Sequence, residues 1–95
     1  MDIVLGSTVM AAPGQVSCEV AGEAVILNAS EGVYFGLDPI GARVWTLLRE
    51  PVAVGDILNT LVSEYEVPVD QCQADLLELL NDLAVNGLIV VHDSA

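Results

Sequence analysis

Acid-base, nucleophilic or metal chemistry in this chain would have to come from one histidine, two cysteines and 14 carboxylates. His92 stands near the end of the sequence in a stretch, His92 to Ala95, that is expected to fray, so a Cys-His or Ser-His pair would depend on a poorly held imidazole. Cys18 and Cys72 are far apart with no imidazole near them, unlike the clustered ligands of structural zinc. The carboxylates form no alternating Asp/Asn loop closed by a Glu, the pattern a calcium site uses. The residues therefore point to a non-catalytic protein with no metal or cofactor, whose carboxylates keep an apolar chain in solution.

The charge balance narrows the partners. Fourteen acidic residues face two basic ones, Arg43 and Arg49, for a formal net charge of -12. Phosphate backbones and anionic membrane surfaces are bound through Lys and Arg, so neither nucleic acid nor membrane is expected as a partner. The longest aliphatic runs, Ala24 to Leu27 and Leu88 to Val91, are far too short to cross a bilayer. Asp2 and the Gly6-Ser7-Thr8 interruption do not fit a signal peptide, and a cytoplasmic location is expected. A chain of 95 residues that is 54% hydrophobic suits one folded domain spanning 1–95. Both cysteines are expected to be reduced and buried or half-buried, as free Cys usually packs.

The elements that would position a site divide at about Asp38. Before it, Ala12-Pro13-Gly14, Ala21-Gly22 and Ser30-Glu31-Gly32 punctuate short apolar runs at Val16 to Val20, Ala24 to Asn28 and Val33 to Leu37. These form a three-strand meander, to which the Ile3 to Met10 segment could add a fourth strand. In the last run Val33, Phe35 and Leu37 share one face, and Tyr34 and Gly36 the other. Asp38-Pro39 then opens a helix with a capping carboxylate and a proline at the first helical position, and Pro51 ends it near Glu50.

Val54, Ile57, Leu58, Leu61, Val62 and Tyr65 form the stripe of a second helix. A third runs from Val69 to Val85, with Cys72, Leu76, Leu79, Leu80 and Leu83 on its apolar face and Asp75 and Asp82 along one edge of it. Asn86-Gly87 stops that helix, and Leu88 to Val91 is a last extended piece. The expected class is α+β and winged-helix-like: a three-stranded antiparallel sheet followed by three helices, with a short C-terminal strand.

The second and third helices have the outline of a helix-turn-helix, but a recognition helix carrying Asp70, Asp75, Glu78 and Asp82 without Arg or Lys would repel DNA. An acyl carrier protein needs Asp-Ser at the start of a helix, whereas here the pair is Asp93-Ser94. A binding module remains. An open sheet has edges whose unpaired N–H and C=O groups can accept an extended peptide. If Val33 to Leu37 is such an edge beside the third helix, its backbone and the helix positions Cys72, Asp75, Leu76, Leu79 and Asp82 enclose a groove, with Tyr34 and Phe35 as further walls. The competing arrangement, in which the N-terminal segment or Leu88 to Val91 covers that edge, is equally open at this point. Four or five ladder hydrogen bonds at about 1 kcal/mol each barely offset an association cost of at least about 4 kcal/mol. The groove therefore needs apolar pockets as well.

Three runs carry a family resemblance: Glu23-Ala24-Val25-Ile26-Leu27-Asn28, Gly32-Val33-Tyr34-Phe35-Gly36-Leu37 and Pro39-Ile40-Gly41-Ala42-Arg43-Val44-Trp45. Tyr65-Glu66-Val67, Asp75, Leu79-Leu80, Leu83 and Asn86-Gly87-Leu88 continue it. Over residues 16–91 the chain resembles the PqqD-like family of RiPP recognition elements, which bind the leader of a ribosomally made precursor peptide. The resemblance implies a β3α3 domain without catalysis of its own, on which the leader adds as a strand to Val33, Tyr34, Phe35, Gly36 and Leu37. The leader would lie against Asp75, Leu76, Leu79 and Asp82. It also implies delivery to partner enzymes: a leader peptidase and an asparagine-synthetase-like cyclase, if the chain resembles the discrete proteins of lasso-peptide pathways, or a radical SAM enzyme. The small Gly41-Ala42 pair and the absence of lysine depart from the pattern, and an acidic groove would favour a leader with Lys or Arg near its anchors. A module that dimerises through its third-strand edge is the alternative.

Overall fold

The computed structural model describes residues 3–20, 23–28 and 32–92. The turns expected at Ala21-Gly22 and Ser30-Glu31, and the last three residues, lie outside them. The order is β1 (Thr8–Ala11), β2 (Gln15–Val20), β3 (Glu23–Asn28), β4 (Val33–Leu37), α1 (Pro39–Leu47), β5 (Val52–Ala53), α2 (Val54–Glu64), α3 (Val69–Val85) and β6 (Ile89–His92). The α+β class, the meander, the three helices and the C-terminal strand are those expected.

β2, β3 and β4 form an antiparallel sheet in that order. Alternation along β3 decides its two faces, with Ala24 and Ile26 buried and Val25 exposed. The register pairs Ile26 with Phe35 and Ala24 with Leu37, so these residues share the inner face that α1 packs against. On the outer face Val16, Val25 and Tyr34 are exposed.

The N-terminal segment is not a fourth strand of that meander. β1 is the centre of a second sheet, β5-β1-β6, pairing Val9 with both Val52 and Val91. Val9 is fully buried there, which gives the segment a stronger anchor than an edge position would. His92 is exposed but pairs with Thr8 in β6, where fraying was expected.

The helix ends follow from local chemistry. Asp38 Oδ1 accepts the Gly41 N–H at 2.7 Å and so caps α1. That helix stops at Leu47 rather than near Glu50, because the Leu48 carbonyl accepts the Ala11 N–H at 2.8 Å and the chain turns away before Pro51. α2 has no side-chain cap; its first N–H groups, on Val54 and Gly55, donate to the carbonyls of Ser7 and Leu5. At the end of α3, Gly87 takes φ 73° and the Leu88 N–H donates to the Leu83 carbonyl at 2.9 Å, the closure that a left-handed glycine permits.

Val44, Leu48, Val54, Ile57, Leu80, Leu83 and Leu88 are completely buried between the helices and sheets. α3 packs on α2 and β6, whereas α1 packs on β3 and β4. The first half of α3 and the free side of β4 are thus held apart by α1 and α2, leaving a cleft between them.

Candidate peptide-binding cleft

β4 pairs with β3 on one side only. Among the described residues no strand covers its other side, because both segments that could have done so, the N-terminal one and Leu88 to Val91, pair with each other. Beside this edge opens a cleft of about 540 Å³, within the range of sites that bind small ligands or a few side chains.

Each wall comes from a different element. β4 contributes Phe35, Gly36 and Leu37, and the first turns of α1 contribute Ile40, Gly41 and Val44. Leu61 and Tyr65 of α2 and its following turn close one end, continued by Val67 and Pro68. α3 supplies Gln71, Cys72, Asp75, Leu76 and Leu79. Gly41 keeps the α1 wall low: a Cβ there would stand 3.2 Å from both Asp38 Oδ1 and Leu37 Cδ2, crowding the cap and the cleft together.

Seven of the residues expected to form the site therefore line one cavity: Phe35, Gly36, Leu37, Cys72, Asp75, Leu76 and Leu79. Leu79 is half-buried rather than a full core residue and belongs to the cleft, while Leu80 behind it is the core residue. Tyr34 is not a wall: it is 72% exposed on the outer face of the sheet, as alternation along β4 requires. Asp82 is exposed beyond the cleft, two turns along α3 from Asp75. Of Val33 only the backbone pairing with Asn28 is described. Sequence reasoning missed the α1 and α2 walls, Ile40, Gly41, Val44, Leu61 and Tyr65, because a helical stripe does not reveal which of its members borders a gap between elements.

The lining is mainly aliphatic, with Asp38 and Asp75 as its charged groups. Asp75 Oδ1 accepts from Gln71 Nε2 at 2.9 Å. Arg43 lies outside, forked onto Glu64 at 2.8 and 2.7 Å, which raises the guanidinium pKa and lowers that of the carboxyl. Burial, and then the Asp75 charge, push the Cys72 thiol up. Cys18 departs from expectation: it is exposed on the outer face of β2, opposite Val25. Iodoacetamide at neutral pH should therefore alkylate Cys18 well before Cys72, as read by peptide mass spectrometry, and a peptide seated in the cleft should slow Cys72 further without affecting Cys18.

Among the described residues no group of three His, Cys, Asp or Glu could hold a metal ion, and no helix is long and apolar enough to cross a membrane. Residues 23–89 match the family of coenzyme PQQ synthesis protein D (PqqD). The chain is similar to the solved structure of TbiB1 in complex with the TbiA(beta) leader peptide, with 32% identity and a TM-score of 0.77 over 90% of this chain and 98% of that one. It also shares the fold of a lasso peptide synthetase B1 complexed with the leader peptide, at 24% identity and a TM-score of 0.75, covering 86% of this chain and 96% of that one. No curated protein matches.

Proposed function

Because the chain belongs to the PqqD family, we propose that it captures the leader of a ribosomally made precursor peptide as a strand added to β4 and presents that precursor to modifying enzymes. The observation that carries this reading is the open β4 edge beside an apolar cleft. An extended segment on that edge would exchange backbone hydrogen bonds with β4 and turn alternate side chains towards Phe35, Leu76 and Leu79. Two apolar anchors at about 2 kcal/mol each, added to the ladder and set against the association cost, leave about 4–5 kcal/mol, and a few charge-assisted contacts would carry the complex from there towards micromolar affinity. Catalysis lies with the partners in this account.

The likeness to two proteins solved with leader peptides, one of them a lasso peptide synthetase B1, supports lasso-peptide maturation, with a leader peptidase and an asparagine-synthetase-like cyclase as recipients, over service to a radical SAM enzyme. Recipients would need a surface other than the occupied cleft. The outer face of the meander, where Val16, Val25 and Tyr34 are exposed, lies on the other side of the sheet from the cleft.

Size-exclusion chromatography and calorimetric titration with the leader of the cognate precursor test the reading. A concentration-independent monomer that binds one leader per chain is the expected result. A dimer that dissociates when leader is added, or that excludes it, would favour self-pairing through β4.

A further inference from the structure

The chain leaves one wall of the cleft without any positive charge, and that has a consequence for the sequence it accepts. Asp75 is exposed on the α3 wall, and Gln71, one turn earlier, holds only its Oδ1. Asp38, the other carboxylate of the lining, spends Oδ1 on capping α1. Arg43 is engaged by Glu64, and Arg49 lies past the end of α1, away from the lining. Glu78 and Asp82 prolong the same exposed side of α3, which contains no Lys or Arg. Next to Asp75 the wall is apolar, formed by Leu76 and half-buried Leu79.

A carboxylate one helical turn from a half-buried leucine suits a side chain with an aliphatic stem and a cationic head. The stem covers the leucine and the head reaches the free carboxylate oxygen. Resting on the leader-capture reading, we propose that Asp75 selects leaders carrying Lys or Arg next to their apolar anchors. Asp75 is a specificity residue in this account: it chooses among peptides that the edge and the leucines already hold.

Generic attraction to a chain of charge -12 would also favour cationic peptides, so the test separates local from global charge. The probes are synthetic extended peptides with two apolar anchors at alternate positions and Lys, Gln or Glu at the neighbouring position. Their affinities are measured by fluorescence anisotropy at about 20 mM and about 300 mM salt for the full chain, Asp75→Asn and, as a control with the same change in net charge, Glu50→Gln. The expected result is that Lys binds about three-fold better than Gln at low salt, less so at high salt. Asp75→Asn removes the difference between the Lys and Gln peptides, and Glu50→Gln preserves it. A Lys preference that survives Asp75→Asn, or that falls equally in both variants, would overturn the assignment while leaving leader capture intact. Failure of every peptide, whatever its charge, to bind the folded chain would count against leader capture itself and remove the basis for the assignment with it.

Discussion

Leu79→Ala is expected to weaken leader binding about ten-fold while lowering the melting temperature by only a few degrees, and Leu80→Ala is expected to do the reverse. The two residues are neighbours on α3 but turn to different surroundings. Leu79 is half-buried on the cleft wall, so the apolar area it still exposes is what a bound peptide would cover. Leu80 is fully buried among the helices, where truncation leaves a void and costs about 3–5 kcal/mol. In a 95-residue domain each kcal/mol moves the midpoint by about 4–8 °C, so Leu80→Ala should lose about 15 °C or more. Thermal unfolding followed by circular dichroism, with affinity measured below the transition of both variants, separates the effects. Parallel losses of stability and affinity in Leu79→Ala would make it a core residue and leave the cleft without that anchor.

A scan of single N-methyl groups along the leader should give a two-residue rhythm. In an antiparallel pair alternate residues exchange both of their backbone hydrogen bonds with the partner strand, and the residues between them point theirs away. Methylation of an N–H that faces β4 removes a bond worth about 1 kcal/mol net and places a methyl where the strands should meet, so affinity should fall by about ten-fold or more. Methylation at the intervening positions should change it little. A flat profile, or sensitivity confined to one position, would mean that side chains seat the peptide without a shared ladder.

Much of this arrangement was legible in the sequence, for identifiable reasons. Alternation puts Phe35 and Leu37 opposite Tyr34, and Tyr34 lies on the outer face, away from the groove walls. Asp38-Pro39 and Asn86-Gly87 carry capping chemistry that depends on only a few residues, and both ends behave as that chemistry requires. What could not be read is pairing between distant short segments. Val52–Ala53 is two residues long and has no periodicity to detect, yet its pairing with β1 helps to hold the N-terminal segment in a second sheet, clear of β4. Local pattern likewise cannot separate Leu79 from Leu80 at a helix face, because their difference lies in the gap left where α3 and β4 fail to meet. The same limit explains Cys18, whose outward position follows from its register with Val25 and not from its residue type.

The central claim is that β4 offers backbone groups to an incoming strand, and amide hydrogen exchange of Val33–Leu37, followed by NMR with and without leader, tests it most directly. In the free chain, amides at alternate positions of β4 should exchange quickly while those bonded to β3 are protected, and saturation with leader should slow the fast set selectively. Should every β4 amide already be protected in the free chain, or should the fast set stay fast when leader is bound, strand addition at this edge would be contradicted.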